Sequence, residues 1–160
     1  MRLLPTLRLG LAAGALLLAA PTLVMAQSKA IPAVNTDKSG LALKGFDPVS
    51  YFSAGAPTKG EAAITASHAG ATYRFASTAN RETFLASPDK YVPQFGGYCA
   101  MGVAYGGKYD IEPDAWRIVD GKLYLNKDQN TQKSWVKDIP KHLTKASGHW
   151  PRIRDEGFAK

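Results

Sequence analysis

Trp116-Arg117-Ile118-Val119-Asp120-Gly121-Lys122-Leu123-Tyr124-Leu125 is the stretch that decides the fold. Two short runs rich in β-branched and aromatic residues flank Asp-Gly, a dipeptide suited to the type I′ turn because Gly accepts a positive φ without strain. Alternation then puts Trp116, Ile118, Leu123 and Leu125 on one side of a hairpin. Upstream, residues 62–77 read as a second hairpin. Ile64, Tyr73 and Phe75 are its apolar positions, Thr65 and Thr72 suit strands, and Ala69-Gly70 stands where a tight turn is needed.

Between and after the hairpins the punctuation is helical. Asp47-Pro48 reads as a helix start, with a short helix to Ser53 closed by Gly55 and with Phe46, Val49 and Phe52 on its buried side. Ser77 or Thr78 caps a helix through Ala86 that Pro88 ends. Asp110-Ile111-Glu112-Pro113-Asp114 reads as an acidic, turn-rich connector. From Asp128, the positions Gln132, Trp135, Val136 and Ile139 recur at helical spacing. Pro140 opens a further helix, which Gly148 is expected to stop, with His142 facing solvent. The expected class is α+β: a small antiparallel sheet built from two β-hairpins, packed by short helices.

Residues 1–26 have the layout of a cleaved secretory signal peptide. Arg2 and Arg8 precede or flank an apolar run through Leu16-Leu17-Leu18, and Val24-Met25-Ala26 gives a cleavage site before Gln27. The apolar run is shorter than the roughly 20 residues a spanning helix needs. A periplasmic or secreted protein is expected, with no stable membrane insertion after cleavage. Residues 27–40 read as a linker, residues 41–151 as the domain, and residues 152–160 as a flexible basic tail. Removing residues 1–26 lowers Lys plus Arg from 20 to 18 against 13 acidic residues, leaving a charge near +5. That modest, scattered excess supports solubility and gives no reason to expect a nucleic-acid partner.

Export makes the single cysteine informative, since oxidising compartments pair cysteines and Cys99 has no intramolecular partner. It is a buried inert thiol, a metal ligand, a reactive thiol or half of an intermolecular bridge. Its surroundings are Gly96-Gly97-Tyr98-Cys99-Ala100-Met101-Gly102-Val103. Cys99 and Met101 are soft donors that suit Cu(I) and other thiophilic ions. A helix over residues 98–105 would put Cys99 in its first turn and lower its thiol pKa. Two residues apart, Cys99 and Met101 would not face the same way on a regular helix, so a shared ion needs an irregular turn there or other donors. His68 and His149 are the candidates, with Tyr98 or Tyr105 lining the site. Gly102 to Lys108 matches Gly-x-x-x-x-Gly-Lys, but Tyr109 follows where a phosphate-binding loop needs Ser or Thr; it reads as a glycine turn.

Tyr73-Arg74-Phe75-Ala76-Ser77, followed by Phe84, Pro88 and Tyr91, resembles the core of the YHS domain, and Asp47-Pro48-Val49 resembles the tripeptide that opens it. With Gly45 to Phe52 ahead and Gly96 to Ala100 behind, the chain is similar to exported bacterial YHS-domain proteins over roughly residues 41–151. Metal-associated members carry Cys-Gly-Met after Asp-Pro-Val and a Cys after the aromatic strand. Here those places hold Ser50-Tyr51-Phe52 and Ala76. In the exported subgroup the position of Cys99 can be occupied by selenocysteine, which implies a reactive or metal-binding chalcogen there.

The expected function is therefore an exported metal-binding module for copper or another thiophilic ion, centred on Cys99 with Met101, His68 or His149. Its partners would be the ion and a metal-handling or redox protein. The alternatives are a thiol redox protein using Cys99 as a thiolate, and a non-catalytic interaction domain. No Cys-x-x-Cys is present, so redox turnover would need an external thiol. No hydrolase constellation stands out, and the pattern favours a binding module over an enzyme.

Overall fold

The computed structural model describes residues 33–155. The expected signal peptide, residues 27–32 of the expected linker and residues 156–160 of the expected tail lie outside that range. Both hairpins form: β1 (Glu61–His68) with β2 (Ala71–Phe75), and β3 (Glu112–Val119) with β4 (Lys122–Asn126). Asp120 and Gly121 have φ of 50° and 70°, and Ala69 and Gly70 have 49° and 78°, the paired positive values of type I′ turns. Strand β3 starts earlier than expected, so the acidic connector is partly strand, with a register irregularity between Glu112 and Trp116.

The fold is α+β, but the hairpins make two separate two-stranded sheets, not one. Loop segments occupy the edges through which they could have joined. Ala42 N–H donates to Thr72 O at 2.9 Å and Thr72 N–H to Gly40 O at 2.9 Å, covering β2. On β4, Gln94 N–H donates to Leu123 O at 2.8 Å and Cys99 bridges Leu125. With those edges taken, the sheets meet through side chains. Tyr73, Phe75, Leu123, Leu125 and Cys99 share one core with Phe84 of α2 (Thr78–Ala86).

Short helices close the molecule: α1 (Ser50–Ser53), α3 (Pro88–Tyr91), α4 (Ala100–Ala104), α5 (Gln129–Trp135) and α6 (Ile139–Ile153). Ser77 and Asp128 cap α2 and α5 by accepting from Asn80 and Thr131 N–H. Strand β4 is buried on both faces, because Tyr124 packs 5.5 Å from the Trp135 ring while Leu123 and Leu125 face the main core.

Helix α6 corrects two expectations. Gly148 does not stop it, and it continues through Pro151 to Ile153. Ala146 and Ile153 are buried with Val103 and Ala104 of α4, and that packing outweighs the roughly 1 kcal/mol cost of an interior glycine. Its inward stripe also carries His142, which is buried with Nδ1 2.9 Å from Trp135 O and does not face solvent. Residues ahead of Leu41 are bonded to distant parts of the chain. Asn35 N–H donates to Gly96 O at 2.8 Å, and Asn35 Nδ2 reaches Gly97 O and Asp110 Oδ1. A Cβ at Gly96 would stand 1.9 Å from Ala33 O, so only glycine admits this crossing.

Asp47 ties the first half together. Its carboxylate is wholly buried. Oδ1 accepts from Val49 N–H at 2.8 Å, while Oδ2 accepts from Ala76 N–H at 2.9 Å and Asn80 Nδ2 at 2.6 Å. The expected helix start is thus also a clamp from the α1 turn onto the end of β2 and the start of α2. Asp47→Ala leaves three donors without this acceptor. Since an orphaned buried donor costs about 1–3 kcal/mol, urea unfolding followed by tryptophan fluorescence should show a loss of at least about 3 kcal/mol.

Candidate functional site

The approach to Cys99 is set by backbone geometry. Phe95, Gly96 and Gly97 have φ of 53°, 61° and 77°, a run of left-handed residues that turns the chain sharply before the extended Tyr98. Cys99 is then the residue before α4, with φ −57° and ψ 115°, and is not inside the helix. Its N–H donates to Tyr109 O at 3.0 Å and its carbonyl accepts from Val103 N–H at 2.9 Å. The sulfur itself caps the helix, accepting from Gly102 N–H at 3.4 Å.

This placement decides the thiol's chemistry. Cys99 is 2 % exposed, and its Sγ lies 3.7 Å from Asn126 Oδ1, which also accepts Met101 N–H at 3.2 Å. Burial pushes the thiol above its ordinary pKa, against the lowering effect of the Gly102, Lys127 and Met101 backbone N–H groups. The expected lowering by a helix terminus is therefore reversed: α4 has only five residues, and desolvation of the charged sulfur outweighs its amides.

Cys99 and Met101 do come together. Because Cys99 stands before the helix with non-helical dihedrals, the spacing rule of a regular helix does not apply to the pair. Both line a solvent-open cavity of about 310 Å³, with Gly102, Tyr105, Tyr109, Lys127 and Thr131. The histidines lie elsewhere. His68 ends β1 with Nε2 3.1 Å from Asp89 Oδ1 and its ring edge-on to Phe84. His149 is on α6, where its Nδ1 would be 3.7 Å from a Cβ at Gly106. Neither lines the cavity, and no cluster of three or more His, Cys, Asp or Glu suited to a metal occurs among the described residues. Tyr98 packs with Val103, Ala146 and Ile153, whereas Tyr105 lines the cavity.

Asn126, Tyr109, Lys127 and Thr131 are site residues that sequence reasoning missed. Asn126 had a faint signal, since alternation places it on the same face of β4 as Tyr124; only the structure shows that face to be buried. The glycines around Tyr109 have a clear role. A Cβ at Gly102 would lie 2.4 Å from Tyr109 Cδ2, and one at Gly107 2.7 Å from Tyr109 Cε2. The glycine turn closed by Gly107 N–H to Gly102 O at 3.0 Å is thus a seat for the Tyr109 ring, which walls the cavity.

Among the described residues no helix is long and apolar enough to cross a membrane. Comparison of the chain with family models, with curated proteins and with solved structures found no match.

A buried thiol with a raised pKa should react slowly with iodoacetamide at neutral pH, about tenfold below a free cysteine peptide, and its rate should rise only at a more alkaline pH than the peptide's does. Gly102→Ala should displace the Tyr109 ring and raise the neutral-pH rate. Mass-spectrometric alkylation time courses measure both.

Proposed function

We propose that this chain is an exported, YHS-like module that holds a thiophilic ion, Cu(I) foremost, between the sulfurs of Cys99 and Met101. The observation that carries the reading is that both side chains line one solvent-open cavity despite their spacing. A thiolate and a thioether are a soft donor pair matched to Cu(I). Cys99 must lose its proton to ligate, and burial holds that proton tightly, so affinity rises with pH. His68 and His149 do not line the cavity, so the two sulfurs are the protein's donors in this reading, and the open side suits handing the ion to a metal-handling partner. Export rests on the pattern of residues 1–26, and the family on the resemblance of residues 41–151.

The second reading, a thiol redox protein, draws support from the three backbone N–H groups around Sγ, which would stabilise a thiolate once formed. A titration of the reduced mature protein with Cu(I) against a competing chelator separates the two. Cys99→Ser should cost about 100-fold in affinity and Met101→Leu about tenfold, as expected for losing a charged and a neutral soft ligand. Equal affinity in wild type and Cys99→Ser would remove the metal reading, and the thiol pKa would then be the next quantity to measure.

A further inference from the structure

Net charge is concentrated in one part of the fold. Residues 33–126 carry nine basic and nine acidic side chains, whereas residues 127–155 carry seven basic and three acidic. Those three acids are engaged locally. Asp128 and Asp138 cap α5 and α6 by accepting from Thr131 and Lys141 N–H, and Asp155 pairs with Arg154 at 3.0 Å. Lys127, Lys133, Lys137, Lys141 and Lys145 are all exposed, and none forms an ion pair among the described residues.

The arrangement of these lysines gives the charge a direction. Lys141, Lys145 and Arg152 recur at helical spacing on an exposed face of α6 that flanks the inward stripe of His142, Ala146 and Ile153, and Lys137 stands one turn earlier. Lys145 Nζ lies over the Tyr105 ring, 5.2 Å from its centre. Tyr105 lines the Cys99 cavity, as Lys127 does. The basic surface therefore reaches the cavity mouth. Among the described residues three large hydrophobic side chains are exposed, and two of them, Tyr105 (66 %) and Tyr109 (53 %), stand at that mouth.

We propose that this basic, tyrosine-bearing surface docks an acidic segment of a partner protein, which lies along α6 and covers the mouth of the Cys99 cavity. Unpaired lysines steer an acidic chain, and exposed tyrosines beside a pocket are the side-chain type that anchors protein interfaces. A bilayer fits this surface less well, because the apolar stripe of α6 is turned inward and has nothing to insert. The proposal goes beyond ion binding and is tested on metal-free protein, so its failure leaves the metal reading standing.

The probe is a fluorescein-labelled twelve-residue peptide of glutamates with one central leucine, read by anisotropy against the mature chain at low salt. Binding should weaken about tenfold in Lys141→Glu/Lys145→Glu and severalfold in Tyr105→Ser, which keeps the charge, with little change in Lys38→Glu/Lys90→Glu. Saturating peptide should also slow alkylation of Cys99 severalfold. Absence of binding, equal weakening in the Lys38/Lys90 control, or an unchanged alkylation rate would overturn the proposal. Tighter binding to phosphatidylglycerol vesicles or to a single-stranded oligonucleotide than to the peptide would overturn it in favour of lipid or nucleic acid.

Discussion

A buried carboxylate must be given donors or it does not stay buried, and Asp47 meets that condition with three groups from three places in the chain. Val49 is local, Ala76 closes β2 and Asn80 opens α2. The same residue's backbone N–H donates to Thr58 O, and its carbonyl accepts from the Ser50 hydroxyl. The α1 turn, the loop before β1 and the first hairpin are thereby held in one register. The aromatic core of Tyr73, Phe75 and Phe84 packs beneath that junction. Hydrophobic burial supplies the larger energy, but it is non-directional; the carboxylate sets which segments meet.

The second hairpin is organised differently. Strand β4 is covered on both faces and along one edge, so it acts as a central element although it has only one true strand partner. Its last residue, Asn126, reaches across to the α4 turn and touches both Cys99 Sγ and Met101 N–H. Cys99 in turn bridges Leu125. The lone cysteine is thus part of the framework as well as a wall of the cavity. That dual position explains why its proton is held: the contacts that fix the sulfur also remove it from water.

Much of this was legible locally. Asp120-Gly121 specifies a turn through its own φ preferences, and Ser77 and Asp128 cap helices through bonds three residues long. Where the deciding contact was distant, local reading failed. Gly148 reads as a helix stop until Ile153 is seen to be buried, and His142 reads as exposed until α6 is seen to turn it toward Trp135 O. Similarly, Asp37 and Asn35 look like linker residues, yet Asn35 is bonded to residues more than sixty positions away.

The sequence by itself determined the α+β class, both hairpins and the principal helix caps, because each depends on neighbours within a few residues. Tertiary structure alone decided that the sheets stay separate, that Cys99 and Met101 share a cavity while His68 and His149 lie elsewhere, and that the thiol pKa rises. Those outcomes depend on which edges are covered and which groups lose water, and both are set by segments distant in the chain.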